Sequence, residues 1–235
     1  MTLIREKETK RRKLNVDFDT TPSIHHKYNY KISRKYIKNK RVLDIGCWSG
    51  QFEKLAIKSV SSIVGIDPGK DAIKFASNEI SDATFKVGNA QNLKFKDKSL
   101  DTVVFVEVIE HLPNGGDIKA LKEISRVLVP NGTLILSTPN KHLLSILLDP
   151  AYFLIQHRHY SVKQLEKMLS ATGFEIIHVS KTGGIFTLMT VLLNTFAKHI
   201  LKMTINYPTW IKKQIETEYK DKGFATIHII AKKVV

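Results

Sequence analysis

Cysteine is all but missing from this chain. Cys47 is the single one in 235 residues, so no internal disulfide can form and a reducing compartment is expected. Long apolar runs are lacking too. No uninterrupted stretch reaches the ~18 residues that a membrane-spanning helix needs. The charged N-terminus has no apolar segment of the kind a secretory signal carries. Acidic residues are scarce beside basic ones, 22 against 37, for a formal net charge of +15. That imbalance is unusual for a plain metabolic enzyme and draws the chain toward something anionic: nucleic acid, an acidic membrane surface or an acidic substrate. No internal repeat is apparent. The hydrophobic content of 43% suffices for one domain with a substantial core. The expectation is a cytoplasmic protein, with peripheral attachment to the inner face of a membrane as the alternative that the charge keeps open.

The chain is organised around Arg41–Phe52, RVLDIGCWSGQF. Val42, Leu43 and Ile45 read as a short buried strand, Gly46 to Gly50 as a tight loop, and Phe52, Leu55 and Ala56 open a helical pattern. A strand–glycine loop–helix unit lets backbone approach a ligand that a side chain would keep away. Around it, residues 1–22 form a basic tail with little to bury, and 23–235 form one domain. Ile24, Tyr28, Ile32 and Tyr36 recur every four residues and predict an amphipathic helix. Second to fifth strands are expected at 62–67, 83–87, 101–106 and 133–137, with helices between them. A helix capped by Ser161 and Gln164 should run through Ser170 and close at Gly173. A sixth strand follows at 174–179 and a seventh at 225–234. The connection between those two, 185–220, is too long for a simple loop and reads as a helical insertion. Alternating strands and helices of these lengths predict an α/β fold with a mostly parallel sheet and right-handed crossovers.

Asp67 ends the second strand seventeen residues beyond Gly50, where an acid can accept hydrogen bonds from two ribose hydroxyls. Asn89-Ala90 follows the third strand. There an amide oxygen can accept from an adenine amino group, although asparagine is also a common turn residue. Val106, at the end of the fourth strand, would line the same pocket. Together these lay an adenosine across the carboxyl ends of the strands.

VLDIGCWSG, GID, VGNAQNL, DTVVFVEVIEHL, ALKEISRVLVPNGTLILSTPN and HRHYS, in this order over residues 26–180, resemble the cofactor motifs of class I S-adenosylmethionine-dependent methyltransferases. EVIEHL followed by STPN most resembles the branch that contains the ubiquinone-biosynthesis O-methyltransferases. The resemblance implies a Rossmann-like seven-stranded sheet with helices on both faces and its last strand antiparallel. It implies S-adenosyl-L-methionine as cofactor, with Asp44, Gly46 and Gly50 around its methionine portion. Asp67 would take the ribose, Asn89 and Ala90 the adenine, and Val106 the pocket wall. Two departures stand out. Trp48 occupies a position that is usually glycine and is expected at negative φ; Asn89 stands where aspartate is common, and keeps the acceptor.

His111 and Glu110 follow the fourth strand at the mouth, where an imidazole suits the role of base toward an acceptor hydroxyl. Glu107, Glu110 and His111 also form an E-x-x-E-H pattern, with His157 and His159 downstream, similar to that of the small-RNA 3′-end methyltransferases. A divalent metal there would lower the pKa of the acceptor, but no bound metal is the expectation. The apolar segments 143–155 and 185–201, lying beside lysines, have the character of interfacial helices. They favour a small-molecule, polyprenyl or lipid-linked acceptor hydroxyl, possible contact with an anionic membrane included. Packing as an internal lid is the alternative. An RNA methyltransferase fits the charge and the KRRK tract but lacks a recognisable RNA module, and a noncatalytic cofactor-binding partner protein is the remaining reading.

Overall fold

The computed structural model describes residues 18–150, 152, 157–203, 205–220 and 223–234. The KRRK tract, the rest of the basic tail up to residue 17, and most of 151–156 lie outside the described residues.

The seven expected strands all form, and they join in one sheet: β1 (Arg41–Ile45), β2 (Ser62–Asp67), β3 (Thr84–Val87), β4 (Leu100–Val106), β5 (Leu128–Pro139), β6 (Phe174–Thr182) and β7 (Thr226–Lys233). Their order is β3-β2-β1-β4-β5-β7-β6. β7 runs antiparallel to β5 and β6, and the pairs from β3 across to β5 are parallel. β4 is therefore the middle strand, as its almost wholly apolar sequence requires of a strand covered on both faces.

Side-chain alternation sorts the core into two layers. Leu43, Ile45, Val103, Phe105, Leu134 and Leu136 enter one layer, and their neighbours Val42, Val104 and Ile135 enter the other. The first layer is closed by Leu121 and Ile124 of one helix (Gly116–Val127) and by Leu165 and Leu169 of another (Val162–Ser170). The second is closed by Ile37 and Phe52 of the helices Ile24–Ile37 and Gln51–Ala56. Each such fully buried side chain contributes about 1.5–3 kcal/mol. In chain order the helices are α1 (Ile24–Ile37), α2 (Gln51–Ala56), α3 (Lys70–Glu79), α4 (Gly116–Val127), α5 (Leu143–Leu147), α6 (Val162–Ser170), α7 (Ile185–Phe196) and α8 (Thr209–Glu218). The capping box at the start of α6 is present: Gln164 N–H donates to Ser161 Oγ, and Ser161 N–H to Gln164 Oε1.

Two local expectations are corrected. Of the expected Ile24-Tyr28-Ile32-Tyr36 stripe only Tyr28 is buried; the most buried face of α1 is Tyr28, Asn29, Ser33 and Ile37. Small and polar residues go inward because the sheet offers partners: Asn29 Oδ1 lies 2.9 Å from Nδ1 of the buried His228 on β7, and Tyr28 Oη meets Ser180 Oγ at 2.8 Å. The last residues of the basic tail, expected to have little to bury, pack against the domain. Thr20 is buried, Ser49 Oγ donates to the Asp19 carbonyl at 2.6 Å, and the Phe18 ring packs on Trp48 and Phe75 at 5.3 and 5.4 Å.

The insertion between β6 and β7 is helical, as expected, comprising α7, a π-turn at Ala197–Leu201 and α8. It is clipped shut by one carboxylate. Glu218, at the end of α8, accepts from the N–H groups of Gly184, Phe186 and Thr187, each at 2.9 Å, and from Thr187 Oγ1 at 2.6 Å. It thus caps α7 with negative charge at the favourable end. Replacing Glu218 by alanine leaves these donors without a partner, which is expected to cost about 2 kcal/mol. A thermal melt should then show a midpoint lowered by roughly 5 °C; an unchanged midpoint would mean that the clip adds nothing.

Candidate active site

The loop after β1 is drawn against β2 by two bonds to one carbonyl. Gly46 N–H and Cys47 N–H both donate to Ile66 O, at 2.7 and 3.1 Å. Gly46 sits at φ +82° and Gly50 at φ +81°, in the left-handed region that favours glycine. A Cβ on Gly46 would collide with Val108 Cγ2. Trp48 contradicts the expectation of a negative φ, lying at +48°. The loop keeps the backbone shape that a glycine would have there. Trp48 N–H donates to Asp67 Oδ2 at 3.3 Å, and the indole is packed by Phe18, which offsets a strain of about 1–2 kcal/mol.

Three acceptors stand at successive strand ends. Asp44 is buried in β1 beneath the loop. Asp67 ends β2, with Oδ1 accepting from Gly69 N–H at 2.7 Å; a carboxylate has further lone pairs for two hydroxyls. Asn89, after β3, is exposed and its Oδ1 accepts from Gln91 N–H at 2.8 Å. That is the turn-forming bond asparagine commonly makes, and it leaves the oxygen a second lone pair. Ala90 faces the core, and Val106 packs at the edge of the second layer. These acceptors suit an ammonium, a ribose diol and an adenine amine in turn, so the residues present fit S-adenosylmethionine.

Burial pushes the Asp44 carboxyl up to about 7, the adjoining Glu53 carboxyl pulls it part of the way back, and the charge of Asp67 pushes it up again. Glu53, wholly buried on α2, is itself pushed well above the usual range by burial and by Asp44. Its carboxyl lies over Gly65, where a Cβ would strike it. If ionised Asp44 holds the cofactor's ammonium, affinity must rise as pH climbs through about 7. Calorimetric titration is expected to give a dissociation constant for S-adenosylmethionine that falls about tenfold between pH 6 and pH 8. In Asp44→Asn that dependence should be gone.

On the acceptor side, Glu107 leaves β4 at φ +53°. This turn aims its carboxylate at Ser137, whose Oγ donates to Glu107 Oε1 at 2.8 Å, and brings it 3.7 Å from His25 Nε2. Burial lowers the pKa of His25, with Glu107 opposing. Glu110 is buried, 2% exposed, and accepts from Thr138 Oγ1 at 3.0 Å. Burial, and then the charge of Glu107, push its pKa well above the carboxylate range. Of the two residues assigned to catalysis, Glu110 is thus buried against Thr138, while His111 faces the open side of the same turn. His111 is exposed and stacks on His157 with ring centroids 4.5 Å apart. Potential ligand atoms of Glu110, His111 and His157 lie within 4.8 Å of one another; Glu107 turns instead to Ser137 and His25.

Sequence reasoning missed Glu53, His25, Ser137 and Asp149. One of them left a signal: Asp149 is the one charged residue in LLSILLDPAYFLI. His25 and Ser137 left none, since only the packing of α1 on the sheet brings them together.

The sheet order, the antiparallel seventh strand and the strand-end acids define a class I S-adenosylmethionine-dependent methyltransferase. A methyltransferase-domain family model matches residues 25–179, and the chain belongs to that family, on the side related to the ubiquinone-biosynthesis O-methyltransferases. It is 30% identical over 166 residues to a ubiquinone biosynthesis O-methyltransferase of Pelagibacter ubique, covering 67% of this chain and 66% of that one, just under two thirds of the relative's length. It is 35% identical over 107 residues to a tRNA U34 carboxymethyltransferase of Nautilia profundicola, covering 43% and 35%. A solved structure of an S-adenosylmethionine-dependent methyltransferase from Archaeoglobus fulgidus shares the fold, with TM-score 0.64 over 88% of this chain and 92% of that one, at 23% identity.

Proposed function

We propose that this protein methylates a hydroxyl oxygen of an acceptor presented at a membrane surface, polyprenyl or lipid-linked. The observation that carries the reading is a set of large apolar side chains left exposed on α5 and on the insertion from α7 to α8. Leu143, Leu147, Phe196, Ile200, Leu201 and Trp210 are 53–69% exposed. α5 follows β5, and α7 follows β6. Both strands end beside the start of β7, where Pro139 and Thr182 pair with Thr226. Val106 and Ser137 pair at the same end, so the apolar helices flank the site's mouth. Exposed Lys202, Lys212 and Lys213 accompany them, the combination that binds an anionic interface. No helix among the described residues is long and apolar enough to cross a membrane.

When bound, S-adenosylmethionine would supply an electrophilic methyl group for in-line transfer to the acceptor oxygen, with the neutral thioether as leaving group. His111 takes the acceptor's proton, Glu110 holds the turn beneath it through Thr138, and the loop from Gly46 to Gly50 with Asp67 fixes the cofactor. Divalent metal at Glu107, Glu110 and His111 is not needed for this reading. The similarity to a tRNA-modifying enzyme and the net charge support a second reading, an RNA acceptor.

Co-sedimentation with vesicles of phosphatidylglycerol and of phosphatidylcholine tests the proposal. The expected result is binding to the anionic vesicles that weakens with salt and is lost in a Leu143→Glu/Phe196→Glu variant. Absence of vesicle binding together with salt-dependent retention of tRNA would overturn it in favour of RNA.

A further inference from the structure

We propose that Asp149, His157 and His159 form a binding site for a divalent transition metal of the zinc class. The assignment is independent of the acceptor and involves residues outside the cofactor loop. Asp149 lies just beyond α5, and the two histidines precede α6, so the site would tie the two ends of one long connection together.

The geometry comes first. Asp149 Oδ2 lies 2.9 Å from His157 Nδ1 and 2.9 Å from His159 Nε2, and the three potential ligand atoms fall within 4.8 Å of one another. Tetrahedral zinc with bonds of about 2.0–2.1 Å sets neighbouring ligand atoms about 3.3 Å apart. The side chains thus need to open by only a few tenths of an ångström on those two edges. The His159 side chain is 2% exposed and that of His157 12%.

The hydrogen positions point the same way. His159 Nδ1 lies 3.1 Å from the carbonyl oxygen of Asn140, a group that can only accept, so Nδ1 carries the hydrogen. In neutral imidazole Nε2 is then a lone pair, yet it faces the carboxylate oxygen of Asp149. A cation between the two atoms removes this opposition of acceptors. A carbonyl at the distal nitrogen is also the usual partner of a metal-ligating histidine. For His157 the proximal Nδ1 faces the same Asp149 oxygen. Its distal Nε2 has no hydrogen-bond partner among the described residues and stands 3.8 Å from Glu110 Oε1, which also lacks one. With the metal on Nδ1, Nε2 becomes a donor directed at that oxygen.

Three protein ligands leave a tetrahedral ion one open position. Both histidines line a cavity of about 690 Å³ shared with Ile146 and Tyr152, from which water or an oxygen ligand can fill that position. His157 is also within reach of Glu110 and His111, but its Nε2 is 3.8 Å from Glu110 while its Nδ1 is at 2.9 Å from Asp149. The Asp149 side is the closer approach to a coordination sphere.

The test uses untagged full-length protein, stripped with chelator and titrated with Zn²⁺, and separately with Co²⁺ while the visible spectrum is recorded. One Zn²⁺ per chain is expected, with the visible bands of four-coordinate Co²⁺. Both should be lost in Asp149→Asn and in His159→Gln and kept in His111→Ala. Circular dichroism melts of the variants separate loss of ligand from loss of fold, and the wild-type titration decides without them. No saturable binding by the wild type would overturn the proposal. So would binding that survives Asp149→Asn and His159→Gln but fails in His111→Ala, which would place the ion on Glu110, His111 and His157.

Discussion

Gly46→Ala is expected to weaken binding of S-adenosylmethionine about a hundredfold by calorimetry. Two costs add. The residue sits at φ +82°, where an L side chain costs about 1–2 kcal/mol, and the new Cβ meets Val108 Cγ2. Valine is stiff at χ1 and cannot simply rotate away, so overpacking adds about 1–2 kcal/mol. A total near 3 kcal/mol corresponds to about two decades in affinity. The two parts can be separated. Val108→Ala in the Gly46→Ala background removes the collision but not the dihedral strain, and should restore about one decade. A double variant no tighter than Gly46→Ala would assign the whole effect to the backbone.

His111→Ala is expected to lower kcat by about 10²–10³, the usual contribution of a positioned base, with affinity for S-adenosylmethionine unchanged. Glu110 gives the contrast. Burial pushes its carboxyl well above the ordinary range, and Glu110→Gln keeps an acceptor for Thr138, so this variant should leave kcat within about fivefold. Glu110→Ala opens a buried hole beneath His111 and should lower kcat and the melting midpoint together. If Glu110→Gln were as damaging as His111→Ala, the carboxyl would have to exchange a proton during turnover. An unchanged kcat in His111→Ala would remove the base from His111 altogether.

Much of the fold was legible in the chain because its signals are local. Strand, glycine loop and helix follow from Val42 to Ala56 by spacing alone, and the α6 capping box follows from Ser161 and Gln164. The misreadings were of another kind. The stripe Ile24-Tyr28-Ile32-Tyr36 is a sound helical period, but the face that α1 buries was chosen by His228, Ser180 and the sheet beneath it. Trp48 was expected to leave the left-handed region, yet the bond to Asp67 and the Phe18 ring keep it there. Glu110 carries the family's pattern in the sequence, but its burial against Thr138 and the upward push on its pKa follow from the packing, which no spacing reveals.

The sequence by itself determined the strand order's raw material, the glycine loop and the three acids and amides at the strand ends, because each rests on contacts with near neighbours in the chain. Only the tertiary structure decided which groups face one another across it. It set His25 and Ser137 against Glu107, Glu53 against Asp44, and Asp149 between His157 and His159. Such meetings depend on how helices settle on a twisted sheet, and on what burial does to a charge once it is there.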